Sequence, residues 1–290
     1  MSEAAMACGG GRSASRASRR AVRVHSCAVA IVLLIFGTLI TEQPARGKGI
    51  SVLLPVQRFP YHVILKGHGQ EQMCNGIIIR ERAILTTATC LESLGGRPIA
   101  MINTLDESYR GRTDVQGVSM AGWWWEEVWV DDWRLHPTWT GNRSVGVNAA
   151  LLKLHRPVSV PWPTVADFGY PLLPNSRVHT IQPEGCEIRL SRHDVVDDVL
   201  CPGGDMDGMF CAYPCTGLHQ GSAMLVLDEP PWTAPNFSLT MGSPELDLLV
   251  GVCPSCDSSF CSNSVLACVL VGHLRPWLDM LAAKEDWVPH

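Results

Sequence analysis

Three groups of residues have types and spacings that could do chemistry. His219 and Ser222 stand three positions apart, which could pair an imidazole base with a hydroxyl nucleophile in a tight loop. His193 is followed directly by Asp194, a carboxylate that could orient an imidazole. We interpret both pairs as ordinary loop residues, the second in a solvated loop, because no acid is placed to orient His219.

The third group consists of cysteines near the end of the chain. Cys253, Cys256, Cys261 and Cys268 could form a zinc ligand set. Disulfides are the favoured alternative in a secreted chain, because oxidising conditions compete for the thiols. No histidine stands at a ligand-like spacing from these cysteines, so we expect neither a metal nor a cofactor.

The N-terminal residues indicate the compartment. Five arginines between positions 12 and 23 precede residues 27–40, a run of fourteen residues without charge. A helix of that length spans about 21 Å, short of the roughly 30 Å hydrocarbon core, so a signal peptide within residues 1–47 is predicted. The long basic segment leaves a signal-anchor with a cytoplasmic N-terminus as the alternative. Either interpretation places residues 50–290 outside the cytosol, as a secreted or a single-pass type II membrane protein.

Composition agrees with export. Asn142 and Asn236 each begin a sequon for N-glycosylation. Removal of Cys8 and Cys27 with the leader would leave ten of the twelve cysteines, an even number that allows full pairing. The net charge of −5 and the absence of a long basic run after residue 23 argue against nucleic acid as a partner.

Short aliphatic and β-branched runs, punctuated by Pro, Gly and Asn, predict an all-β domain. Only the end is expected to be helical, because Leu270, Leu274, Leu278 and Leu281 recur every three to four residues, with Pro276 in the first turn. The predicted strands are 59–67, 76–88, 126–135, 148–158, 222–228 and 246–252.

Several of these segments, in order, resemble the trypsin-like serine proteases. Residues 74–91 (CNGIIIRERAILTTATCL) have that family's sixteen-residue cysteine spacing and its Leu-Thr-x-Ala-x-Cys frame. Further matches are 59–63, 135–139, 148–154, 209–212 and the helix at 277–278, so the likeness covers roughly residues 55–285. The resemblance implies two packed six-stranded antiparallel β-barrels with a C-terminal helix.

The resemblance also assigns the catalytic positions, and each holds an unexpected residue. Thr89 stands where the family has its general base histidine, and Asn148 stands where it has the orienting aspartate. The nucleophile position falls on His219 when counted from Cys215, or on Gln220 when anchored on Gly221. None of these residues can play the family's role, so we expect no catalytic residue for peptidase chemistry by this mechanism.

By the same resemblance, Cys74 pairs with Cys90 and Cys201 with Cys211. Cys215 pairs with Cys253 or Cys256, which would join two walls of the primary specificity pocket, floored near Tyr213. The partners of Cys186, Cys261, Cys268 and the remaining member of the 253/256 pair stay open.

Two segments outside the family pattern are candidate contact surfaces. Six of the ten tryptophans lie within residues 123–139, and a strand cannot bury Trp123, Trp124 and Trp125 on one face. We therefore expect an exposed aromatic surface there that includes Trp129. Residues 228–247 are Pro-rich and are predicted to form a surface loop close to the rim of the former active site.

The sequence thus predicts an extracellular, non-catalytic homologue of trypsin-like serine proteases that acts by binding a protein, as a cofactor, a decoy or an adhesion module. The alternative is a serine endopeptidase with relocated catalytic residues.

Overall fold

A computed structural model of the chain describes residues 52–53, 58–67, 73–102, 126–141, 146–184, 187–201, 207–215, 218–228, 242–256, 261–262 and 264–283. All of these residues lie within the unit Lys48–His290. Residues 27–40, Trp123–Trp125, Asn142, Cys186 and Asn236 lie outside the described residues.

The described residues are mainly strands. In chain order the strands are β1 (Val52–Leu53), β2 (His62–Lys66), β3 (Met73–Arg80), β4 (Ala83–Thr86), β5 (Ile99–Ile102), β6 (Glu126–Leu135), β7 (Ala150–Leu154), β8 (Thr164–Val165), β9 (Arg177–Glu184), β10 (Glu187–Val196), β11 (Met209–Tyr213), β12 (Ser222–Val226), β13 (Leu248–Cys253), β14 (Cys261–Ser262) and β15 (Val265–Leu270). The helices are α1 (Ala88–Leu94) and α2 (Val271–Ala282). No helix in this part of the chain is long and apolar enough to span a bilayer.

Six antiparallel strands close the first barrel in the order β2, β3, β4, β7, β6, β5. Alternate residues point inward, as the pleat requires, so Val63 and Leu65 of β2 and Val128 and Val130 of β6 are fully or almost fully buried. A shift in the pairing register of β6 with β7 follows Val130.

The second barrel closes in the order β9, β10, β11, β15, β13, β12, and β12 returns to β9 at Leu225 and His179. Strands β1, β8 and β14 add to its edges. The prediction of two six-stranded barrels with a C-terminal helix is confirmed.

Three local predictions were wrong. The run 76–88 is not one strand, because the chain turns at Glu81 and Arg82 between β3 and β4. His193 and Asp194 lie in β10 instead of a solvated loop. Pro276 is in the second turn of α2, because β15 continues to Leu270 and periodicity alone does not fix where a helix begins.

A buried ion pair fastens the start of the first barrel to the second. The Arg58 guanidinium donates to both carboxylate oxygens of Asp247, at 2.5 and 2.6 Å. The Tyr61 hydroxyl and the Asp228 amide also donate to this carboxylate. Burial raises the pKa of Asp247, whereas the hydrogen bonds from Arg58 and Tyr61 act to lower it. Each carboxylate oxygen therefore has a partner in a site that excludes water.

Candidate functional site

Thr89 and Asn148 are brought together from separate elements of the first barrel. Thr89 is in the first turn of α1, and Asn148 precedes β7. The Thr89 amide donates to Asn148 Oδ1 at 3.0 Å, and Asn148 Nδ2 donates to Thr89 Oγ1 at 3.2 Å. Both residues are buried. The two side chains thus satisfy each other, and neither is a group that accepts a proton at neutral pH.

The segment that leads into β12 holds the third position. His219 is exposed and Gln220 is half-buried, whereas Ser222 is fully buried. Ser222 Oγ donates to the main-chain carbonyl of His219 at 2.7 Å and accepts from Asn75 Nδ2 at 3.2 Å. The hydroxyl is therefore bonded to the backbone of His219 and to an amide, not to an imidazole nitrogen.

Gly221 sets the approach of this segment to the first barrel. Its φ is +79°, and a Cβ at this position would lie 1.9 Å from the carbonyl oxygen of Asn75 and 2.3 Å from Thr86 Oγ1. The Asn75 amide donates to the Gln220 carbonyl at 2.7 Å, so the backbones of the two barrels touch here. Only glycine allows both the conformation and the contact.

A comparison with protein families finds that the Trypsin model matches residues 54–217, more than half of the 290 residues. The chain belongs to the trypsin family. No curated protein matches it. The matched range includes the positions of Thr89 and Asn148 and ends just before Leu218.

Two disulfides join segments that the resemblance to the trypsin family assigns to the primary specificity pocket. Cys215 is bonded to Cys256, and Cys253 is bonded to Cys268. Cys215, Cys253 and Cys268 belong to one buried apolar cluster with Leu218 and Leu266, and the partly buried Cys256 packs against it.

Among the described residues, Cys74–Cys90 and Cys201–Cys211 are also disulfides. Three cysteines of the hypothetical zinc set, Cys253, Cys256 and Cys268, are bonded in disulfides and offer no thiolate to a metal. No group of three or more metal-ligating side chains occurs among the described residues.

Buried histidines are a feature that sequence reasoning missed. His193 donates from Nδ1 to the Pro214 carbonyl at 2.8 Å and accepts at Nε2 from the Thr180 hydroxyl at 2.9 Å. Burial lowers the pKa of His193 to about 4. Burial, followed by the charge of His219, lowers the pKa of His62 to about 4, and neither ring nitrogen of His62 has a hydrogen-bond partner among the described residues. No spacing signal in the sequence marks these side chains as buried.

Trp129 is the described member of the predicted aromatic surface. It lies in β6 and is 46% exposed. The Arg97 guanidinium lies 6.0 Å from its ring centroid and is held by Asp131 Oδ1 at 2.5 Å. The described part of the predicted surface is therefore an exposed aromatic ring next to an arginine that is ion-paired with an aspartate.

Most of the surface loop predicted in 228–247 lies outside the described residues. Its described ends are Asp228, which follows β12, and Gly242, which precedes β13. The Ser243 amide donates to Asp228 Oδ2 at 3.0 Å, so the two ends lie next to each other. The expectation that the loop borders the active-site rim stays a prediction.

A cavity of about 510 Å³ lies between the β3–β4 turn, residues 162–165 and α2. Its lining includes Trp162, Leu278 and Arg275 and none of the triad positions.

Proposed function

We propose that this trypsin-family protein acts outside the cell by binding a protein partner and does not hydrolyse peptide bonds. The observation that carries the proposal is the Thr89–Asn148 pair. The two residues are hydrogen-bonded to each other at the positions where the family has a histidine and an aspartate. Acyl transfer needs a base that can take the nucleophile's proton near neutral pH, and a threonine hydroxyl cannot do so.

Two further features support the loss of peptidase chemistry. Ser222 is buried and bonded to the His219 carbonyl, so no described imidazole activates its hydroxyl. Loss of any one triad member costs a protease orders of magnitude in rate, and here all three positions differ.

Binding is the role that the remaining features support. A disulfide-stabilised double barrel is a rigid scaffold, and exposed Trp129 beside Arg97 and Asp131 has the composition of an interaction hot spot. Four disulfides are typical of an oxidising compartment, in agreement with a secreted protein.

A fluorophosphonate probe, which labels activated serines, tests the proposal. The full chain secreted from eukaryotic cells should remain unlabelled under conditions that label trypsin completely. Labelling of the wild-type chain that Ser222→Ala removes would contradict the proposal. It would instead establish the alternative function, a serine endopeptidase with relocated residues.

Intact mass of the secreted protein tests the compartment. Loss of the first 40 to 50 residues, with glycans at Asn142 and Asn236, is the expected result. A full-length chain retained by cells would contradict secretion and support the type II membrane topology.

A further inference from the structure

Large apolar side chains protrude from one end of the second barrel. They come from two loops, residues 166–176 before β9 and residues 197–208 between β10 and β11. Arg177 pairs with Asp194 and Val196 pairs with Cys211, so both loops leave the barrel at the same end. The exposed fractions are 66% for Phe168, 63% for Leu173, 83% for Val199 and 59% for Leu200.

The backbone of the described part of these loops is fixed by hydrogen bonds. The Tyr170 amide donates to the Asp167 carbonyl at 3.1 Å, and the Ser176 amide donates to the Leu173 carbonyl at 3.0 Å. Asp197 accepts from the Val199 amide at 3.1 Å. The exposed side chains therefore sit on preorganised turns, which lowers the entropy lost on binding.

The charged side chains within the two loops are all acidic, although the exposed Arg177 follows the first loop directly. Four aspartates, at 167, 197, 198 and 207, lie in the described part of the two loops, and neither loop contains Lys, Arg or His. Two basic residues of α2 contact these aspartates, with Arg275 at 3.6 Å from Asp167 and His273 at 3.6 Å from Asp207. Both of these carboxylates remain almost fully exposed.

We propose that this surface, named here the acidic loop end (residues 166–176 and the described part of 197–208), docks a protein segment whose apolar side chains are flanked by Lys or Arg. The exposed aliphatic and aromatic side chains favour an apolar contact. The aspartates of the two loops favour Lys or Arg residues of the partner next to that contact. The same aspartates would repel an anionic bilayer, a polyanionic glycan and a second copy of this end. This docking role rests on the proposed binding function and does not require that the protein lack peptidase activity.

Peptide binding to the secreted full chain tests the proposal. The probe is a synthetic amphipathic peptide of leucine and lysine, and its counterpart has glutamate at every lysine. The lysine peptide should bind and the glutamate peptide should not, with affinity falling as salt rises. Phe168→Ser, Val199→Ser and Leu200→Ser combined should weaken binding at least tenfold. Asp198→Asn with Asp207→Asn should weaken it and flatten the salt dependence.

A matched control separates this surface from general stickiness. Met73 and Leu135 are 58% and 39% exposed and lie in strands of the first barrel, so Met73→Ser with Leu135→Ser should leave binding unchanged. Equal binding of both peptides, or an equal loss in the control, would overturn the proposal. So would a dimer, or binding to phosphatidylserine vesicles, that the triple variant abolishes. Labelling of the chain by fluorophosphonate would contradict the absence of peptidase activity. It would not affect the peptide-binding test, which measures binding alone.

Discussion

At the scale of single residues, Thr89 and Asn148 form a buried pair that is joined by hydrogen bonds. The amide of Asn148 both accepts from and donates to Thr89, at 3.0 and 3.2 Å. A buried pair whose polar groups are hydrogen-bonded to each other contributes to the stability of the fold.

Asn148→Ala should therefore destabilise the fold. The buried amide of Thr89 would lose its partner and the Thr89 hydroxyl would keep only Thr87 Oγ1, at 3.3 Å, which costs about 1–3 kcal/mol in the free energy of unfolding. Chemical denaturation of the secreted chain measures this. Ser93→Ala, at an exposed residue whose hydroxyl bonds to the Cys90 carbonyl one turn back, is the milder control. Equal stability of Asn148→Ala and wild type would contradict the pair's structural role.

The Arg58–Asp247 pair makes a second prediction at this scale. Arg58→Met leaves a buried carboxylate without its cation and should cost about 3–5 kcal/mol. Adding Asp247→Asn, which neutralises that carboxylate, should recover part of the loss. The exposed pair of Arg134 and Asp132 is the control, and Arg134→Met should cost less than about 1 kcal/mol. If the double variant were no more stable than Arg58→Met, the uncompensated charge would not be the cause.

At the scale of elements, the seam between the barrels depends on β3 meeting the start of β12. Hydrogen bonds from Asn75 to Gln220 and Ser222 join these strands. The close contact at Gly221 sets their distance.

Gly221→Ala tests the seam, and Gly169→Ala is a matched control. Both glycines have φ of +79°, but a Cβ at Gly169 would meet no atom within 4 Å. Gly169→Ala should cost only the conformational penalty of about 1–2 kcal/mol. Gly221→Ala should cost about 1–3 kcal/mol more, because Asn75 and Thr86 must move. Equal melting temperatures of the two variants would show that the seam tolerates the added methyl group.

At the scale of the whole molecule, three buried histidines couple stability to pH. Burial is the main cause that lowers the pKa of His62 and His193 to about 4 and that of His179 to about 3, from an ordinary 6.5. The unfolded chain therefore binds more protons than the folded chain below pH 6.5. The stability that the neutral rings provide is present above pH 6.5 and is lost as the pH falls through these lowered values.

Urea denaturation at pH 7, 6 and 5 should show this loss, at up to about 1.4 kcal/mol per pH unit for each histidine. His62→Gln should reduce the slope by about one proton. A slope that is the same in wild type and His62→Gln would mean that His62 binds its proton equally in both states.

The sequence by itself determined the family, the two barrels and the identity of the residues at the catalytic positions. Short-range motifs, above all the Cys74–Cys90 frame around Thr89, carry the resemblance and can be read without coordinates. The two barrels and the two candidate partners of Cys215 followed from that resemblance.

Only the tertiary structure decided which groups meet. It paired Cys215 with Cys256, bonded Ser222 to the His219 carbonyl and buried His62 and His193. It also placed Phe168 and Val199 at one end of the second barrel. Each of these outcomes depends on barrel closure, which brings strands distant in sequence into register, and burial follows from that register rather than from residue type.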